Sequence, residues 1–256
     1  MPRYFIEVSY KGTRYSGFQV QQNANTIQSE VEKALAIRFK ESFVLTGASR
    51  TDAGVHALQN YFHFDTTDDL FYSNDNSIDA KIVQQALYSL NSILPDDIVI
   101  KRIFKVGDNA HCRFDAISRK YQYYIYSEKN PFYKDTAYFY PYTMNFDKLQ
   151  EVSSIILGTE NFAAFSKRNT QVDNFICSIH ISKWQKKNDC IIYEVVANRF
   201  LRGMVRGLVG TMLKVGTGKI STIEFAQVIK NSNSAKADFS VPSKGLYLVE
   251  INYGKL

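Results

Sequence analysis

The 256-residue chain is 45% hydrophobic and 22% charged, the balance of an ordinary globular protein, which excludes a disordered or collagen-like chain. Apolar stretches such as Ile176 to Ile181 are far shorter than the ~18 residues of a membrane span, the N-terminus lacks a signal-peptide core, and three scattered cysteines (Cys112, Cys177, Cys190) fit a reducing cytoplasm. The net charge of +6 is uneven: residues 1–107 hold 11 Lys and Arg against 12 Asp and Glu, net −1, and residues 108–256 hold 20 against 13, net +7, which points to a polyanionic partner for the second half.

In chain order, Tyr4 to Tyr10 alternates as a strand, with Ile6 and Val8 on one face. Thr26 precedes a helix in which Ile27, Val31, Ala34 and Leu35 share a face. Phe43 to Thr46 reads as a short buried strand and Leu58 to Asp65 as an alternating one. A helix is expected over Ile78 to Ile93, with Ile82, Ala86 and Leu90 aligned and Pro95 closing it, before a strand from Ile98 to Phe104. The order is β-α-β-β-α-β, the split βαβ arrangement.

The second half repeats that order. Arg119 to Ser127 is a strand with Tyr121, Tyr123 and Ile125 on one side. A helix runs from Asp147 to Gly158, with Leu149, Val152 and Ile156 inward. Ile176–Lys186 and Ile191–Ala197 form a hairpin, Leu201–Lys214 is helical, a short helix follows near Ile223–Ile229, and Leu246–Tyr253 is the last strand. The expected class is therefore α+β, with two ferredoxin-like halves, 1–107 and 108–256, and a soft boundary near Val106-Gly107-Asp108.

Two segments are not explained by core patterning. Thr46-Gly47-Ala48-Ser49-Arg50-Thr51-Asp52-Ala53-Gly54-Val55-His56-Ala57 joins two strands, and its glycines and small residues bring backbone close to whatever binds beside one Arg and one Asp. The plain alternative is an Asx-turn in which Asp52 bonds backbone N–H groups two residues on. In the second segment, Arg199, Arg202 and Arg206 recur at helical spacings beside Gly203, Gly207 and Gly210. Three glycines at about 1 kcal/mol each imply close packing or close approach of another backbone. The arginines are either a solvated basic face, a phosphate-contacting stripe, or the partner of a carboxylate.

Arg50-Thr51-Asp52-Ala53-Gly54-Val55-His56-Ala57 resembles the signature loop of the TruA family of tRNA pseudouridine synthases. Residues 10–19 (Tyr10-Lys11-Gly12 through Phe18-Gln19), Ser118-Arg119-Lys120-Tyr121-Gln122-Tyr123, Phe200 to Arg206 with Val209-Gly210, and Gly245-Leu246-Tyr247-Leu248 resemble further family segments in order. The likeness covers nearly the whole chain, and an eight-residue loop plus four ordered segments is far more specific than one short motif. Two departures stand out: Ser49 where the family commonly has Gly, and Arg202-Gly203 where it often has His-His.

The resemblance implies a pseudouridine synthase fold with a largely antiparallel central sheet, a homodimer with RNA across both protomers, and isomerisation of uridine at positions 38, 39 and/or 40 in the anticodon stem-loop of tRNA. It assigns Asp52 as the catalytic carboxylate, Arg206 as its cationic partner, Tyr121 as the aromatic that stacks on the target base, and Leu246 as an apolar wall. Arg50 is implied to brace the space left by a flipped nucleotide. The basic residues Lys11, Arg14, Lys167, Arg168, Arg199 and Arg202 are expected to contact the RNA backbone, which gives affinity and salt dependence rather than base specificity; for Lys167 and Arg168 a solvated loop is an equal alternative.

No cofactor and no metal are expected. Cys177 and His180 have ligand-like spacing without a second pair, and His56 and His63 have no triad-like context; His56 reads as a loop organiser. The competing reading is a non-catalytic tRNA-binding or RNA-chaperone module, which has no need of an ionised carboxylate in its cleft. A small-molecule enzyme fits the basic second half poorly.

Overall fold

A computed structural model describes residues 1–66, 70–72, 78–167, 173–232 and 234–254. The chain forms two compact units, one running to Ile117 and joined by the C-terminal segment from Glu250, the other spanning Ser118–Val249. Strands and helices mix in both, and the sheet pairing is largely antiparallel, as the α+β reading expects.

In the first unit β1 (Arg3–Tyr10) lies between β3 (His56–Asp65) and β4 (Ile98–Val106), antiparallel to both, and the two-residue β2 (Thr46–Gly47) pairs with β3. Helix α1 (Ile27–Phe39) starts at a capping box between Thr26 and Ser29 and stops where Lys40 turns left-handed. Its buried residues are Ile27, Val31, Ala34 and Leu35, the face read from the sequence. Helix α2 (Ala80–Ile93) is capped by Asp79 and ends at Leu94, held extended ahead of Pro95. Phe5, Phe18, Phe62, Phe64 and Phe71 fill the core, and Phe18 stacks on Phe62 with ring centroids 4.4 Å apart.

In the second unit β5 (Ser118–Tyr126) pairs antiparallel with β8 (Cys190–Ala197), which pairs with β7 (Ile179–Lys187). The hairpin closes through Asn188-Asp189, with Asn188 at φ 52°. A short β6 (Tyr138–Phe139) runs parallel to the end of β5. Helices α3 (Phe146–Leu157), α4 (Met204–Gly216) and α5 (Thr222–Lys230) follow, then β9 (Leu246–Asn252), whose first part neighbours β5. With the strands of each unit numbered separately, and β6 set aside, both have the order 4-1-3-2. Both also use one amide side chain to clamp an outer strand: Asn91 exchanges two hydrogen bonds with the backbone of Ile100 (2.8 and 2.9 Å), and Gln150 does the same with Trp184 (2.7 and 3.1 Å).

Three expectations are corrected. Phe43 to Thr46 is not a strand: Phe43 and Leu45 are buried, but pairing begins only at Thr46. Cys177 precedes β7 rather than lying in it. Helix α4 begins at Met204, because Gly203 takes φ 75° and breaks the helical path. Arg199 and Arg202 therefore lie ahead of the helix and share no helical face with Arg206.

His63, on β3, is 6% exposed, and its Nδ1 accepts the Cys112 backbone N–H at 3.3 Å. Burial, reinforced by the Arg3 guanidinium and the His111 ring and only partly opposed by Asp65 and Asp115, pushes its imidazole down to about 4. Between that value and the ordinary 6.5, the unfolded chain takes up a proton that the folded chain refuses, so stability rises with pH across this window. Urea unfolding is expected to show a loss of about 2 kcal/mol from pH 7 to pH 5 through this residue. His63→Gln should remove most of that slope, and an undiminished slope in the variant would exclude His63 as its source.

Candidate active site

The loop between β2 and β3 has no regular structure between Ala48 and Val55, so its backbone groups must find partners elsewhere. Most come from residues 10–18. The Phe18 N–H donates to the Thr51 carbonyl (3.1 Å), the Gly54 N–H to the Tyr15 carbonyl (3.4 Å), and the Gly12 N–H to His56 Nδ1 (3.1 Å). Below them Asn60, fully buried on β3, donates to the Ser49 carbonyl (2.8 Å) and the Tyr10 hydroxyl (3.1 Å), while that hydroxyl meets Thr51 Oγ1 at 2.8 Å. His56 is 2% exposed and accepts a backbone bond, which is the loop-organising role expected of it.

Close approach dictates two glycines here. A Cβ at Gly12 would collide with the Val55 carbonyl oxygen, and Gly17, at φ 112°, faces the Thr51 carbonyl. The 10–18 segment is itself tethered to Asp97. The Tyr15 hydroxyl donates to one carboxylate oxygen at 2.6 Å, Arg14 Nε to the other at 2.8 Å, and the Lys11 N–H bonds the Asp97 carbonyl at 2.9 Å. Burial and the adjacent carboxylate push the Tyr15 phenol well up, so it stays protonated as a donor.

These bonds leave Asp52 distinctive. Its backbone carbonyl accepts the Val55 N–H at 3.2 Å in a turn with Gly54 at φ 77°. Its half-buried carboxylate accepts no hydrogen bond from the loop backbone among the described residues, so an Asx-turn does not account for the residue. Arg50, two residues earlier, is exposed and lines a cavity of about 220 Å³. Lys11 and Arg14 are exposed too, with Arg14 in the ion pair to Asp97. A larger cavity of about 760 Å³, lined by Tyr61, Arg102, Phe104 and Tyr253 among others, contains none of the expected site residues.

In the second unit Arg206 sits in the first turn of α4, behind an N-cap glycine that offers no side-chain acceptor. A cation at the positive end of a helix dipole costs stability. Here the guanidinium is held by carbonyls: Nε donates to Val241 at 2.8 Å and Nη2 to Phe239 at 3.1 Å. The Tyr123 hydroxyl donates to the next acceptor along, the Pro242 carbonyl, at 2.6 Å; burial pushes that phenol far up, with Arg206 pulling the other way. The glycines of α4 let the same segment close in, because a Cβ at Gly210 would strike the Asp238 carbonyl and one at Gly207 would meet the Phe239 ring at 2.7 Å. The close backbone approach read from the sequence is therefore present, and it fixes the chain leading to Leu246, which is 7% exposed.

Tyr121 is 9% exposed on β5, opposite Val195, with its ring edge-on to Phe200 at 5.0 Å. Lys167 is half-buried; its N–H bonds the Arg202 carbonyl at 3.0 Å, and its methylenes cover Gly203. Arg202 is exposed and Arg199 half-buried, and Arg168 lies outside the described residues. Cys177 is fully buried, and burial pushes its thiol up to about 11, which leaves it a neutral packing group.

The sequence reading missed Asn60, Tyr123 and the 239–242 segment. Asn60 had a signal, a polar residue at an inward position of an alternating strand. The carbonyls of Phe239, Val241 and Pro242 had none, since every residue carries one. His63, His111 and Cys112 also gather within 4.8 Å, but each is engaged: the Cys112 thiol donates to the Thr46 carbonyl (3.1 Å), His63 Nδ1 takes the Cys112 N–H, and His111 Nδ1 takes the N–H groups of Arg113 (3.1 Å) and Phe114 (3.4 Å).

A family model described as tRNA pseudouridine synthase matches residues 6–115 and 153–254, and the chain belongs to that family of RNA-modifying isomerases. Both loops of the first unit and the whole of α4 fall in the matched stretches, whereas Tyr121 lies between them. Among the relatives are proteins named tRNA pseudouridine synthase A from Azobacteroides pseudotrichonymphae, 38% identical over 99% of this chain and 97% of theirs, and from Parabacteroides distasonis, 38% identical over 99% and 96%. That of Staphylococcus aureus is 34% identical over 97% of this chain and 90% of its own. No helix among the described residues is long and apolar enough to cross a membrane.

The stitching of the two loops through Gly12 has a direct test. Gly12→Ala must displace the Val55 carbonyl, three residues from Asp52. Urea unfolding is expected to show a loss of about 1–3 kcal/mol, with tRNA turnover falling in parallel.

Proposed function

We propose that this protein converts uridine to pseudouridine in the anticodon stem-loop of tRNA, at positions 38, 39 and/or 40, with Asp52 as the catalytic carboxylate. The observation that carries the reading is a loop held at many backbone points, none of which, among the described residues, uses its one carboxylate. The reaction breaks the N1–C1′ bond, turns the base and forms C5–C1′; the C5 proton leaves and N1 gains one, so neither water nor redox equivalents are consumed. A carboxylate suits this as nucleophile, at C1′ or at C6, as partner to a positive sugar carbon, or as the base that removes the 2′ proton.

A guanidinium favours the ionised form of such a carboxylate, and Arg206 is the proposed partner. Tyr121 stacks on the target base, and Leu246 supplies an apolar wall. A uridine within a stem must first leave the stack at a cost of a few kcal/mol; Arg50 braces the vacated space. Lys11, Arg14, Lys167, Arg168, Arg199 and Arg202 are proposed to contact the RNA backbone, and the working form is proposed to be a cytoplasmic homodimer with RNA on both protomers.

Tritium release from C5-labelled tRNA tests the assignment. Asp52→Ala should lose turnover by on the order of a thousand-fold or more while tRNA binding stays within about two-fold. Undiminished release would end the assignment of Asp52, and binding without any pseudouridine from the wild-type chain would favour an RNA-binding module instead. Because Arg206 also ties down the 239–241 segment, Arg206→Lys is the sharper variant: it keeps the charge but loses the planar fork, and full activity would remove the fork from the mechanism.

A further inference from the structure

Phe114 is a large apolar side chain left 73% exposed, yet it sits on a tightly hydrogen-bonded turn. The His111 N–H donates to Asp115 Oδ2 at 2.7 Å, the Asp115 N–H returns to the His111 carbonyl at 3.0 Å, and His111 Nδ1 accepts the N–H groups of Arg113 and Phe114. The rings form a ladder from core to surface: buried His63 meets His111 at 4.6 Å, and His111 meets Phe114 at 4.2 Å. The Arg113 guanidinium lies 5.6 Å from the Phe114 ring centre. Beneath this turn Cys112 is pinned through its thiol to the Thr46 carbonyl and through its own carbonyl to the Tyr253 hydroxyl.

Core packing does not explain a ring displayed in this way. His111, Arg113 and Phe114 line the cavity of about 220 Å³ together with Arg50, Gln19 and Gly47. That volume is below the ~300–1,000 Å³ of a pocket for a whole small molecule, which suits one planar group rather than an entire nucleotide. An exposed aromatic ring with the Arg113 guanidinium over it, in a lining that also holds Arg50 and no acidic residue, complements a nucleobase and its phosphates.

We propose that His111, Arg113 and Phe114 form a fixed stacking platform for a nucleobase of the RNA substrate, one that neighbours the reacting uridine and lies beside Arg50. This rests on the tRNA reading above. Because the turn is already ordered, little side-chain freedom is lost when the base arrives. Phe114 contributes a π-face that any base can use, so the platform strengthens binding and positioning without choosing sequence.

The test compares Phe114→Ala, Phe114→Leu and Phe114→Trp, read by tRNA binding at fixed salt and by the KM and kcat of tritium release. Phe114→Ala and Phe114→Leu are expected to weaken binding and raise KM by roughly ten-fold or more, within the range of a lost base–aromatic stack, with kcat changed far less. Phe114→Trp should restore both. Equal rescue by Leu and Trp would mean apolar packing rather than stacking, and binding within two-fold of wild type in Phe114→Ala would overturn the platform while leaving the isomerase reading intact. A wild-type chain that binds tRNA but makes no pseudouridine would sink the isomerase reading, and the Phe114 series would still decide the platform by binding alone. A wild-type chain that binds no tRNA would sink both.

Discussion

The Asp52 loop depends on one buried junction: the Tyr10 hydroxyl, the Asn60 amide and Thr51 Oγ1, meeting beneath residues 48–56. A loop without ladder bonds would ordinarily pay in lost conformational freedom for each residue it orders. Here the cost is offset because its backbone groups bond a neighbouring segment that is itself tied to Asp97. Burying polar groups is costly unless they are paired, and in this junction Asn60, Tyr10 and Thr51 satisfy one another. What remains outside the arrangement is the Asp52 carboxylate, presented by a rigid frame rather than consumed in building it.

The second unit reaches a similar end by different means. There an irregular segment, 239–242, carries three carbonyls that point at side-chain donors, two from Arg206 and one from Tyr123. Glycines on α4 remove the side chains that would keep that segment away. Arg206 thereby has a structural role beside its proposed chemical one: the guanidinium proposed to favour an ionised Asp52 also holds the stretch before Leu246. Substitutions at this position disturb the segment whatever they do to the chemistry, which is why the planar fork and the charge have to be separated experimentally.

Elements with local causes were legible in the sequence. The Thr26 cap and the face of Ile27, Val31, Ala34 and Leu35 follow from adjacent residues, and so do the Pro95 stop and the Asn188 hairpin. The start of α4 is not legible because the spacing of Arg202 and Arg206 suits the helix expected from Leu201, and only the left-handed conformation of Gly203 shows that Arg202, like Arg199, lies ahead of it. Phe43 to Thr46 was misread because burial alone looks like a strand in a short apolar run; pairing with β3 decides the matter, and it reaches only Thr46 and Gly47.

By itself the sequence determined the class of fold, the order of elements in each half, the unusual composition of the Asp52 loop and the likeness that identified the family. These rest on local propensity, periodicity and residue type, all written along the chain. Tertiary structure alone decided that residues 10–18 hold the Asp52 loop, that Arg206 and Tyr123 hold the 239–242 segment, and that Phe114 is displayed on a ladder of rings. Each joins residues about 30 to 120 positions apart through carbonyls, amides and ring faces, groups too common along any chain for a sequence pattern to single out before folding brings them together.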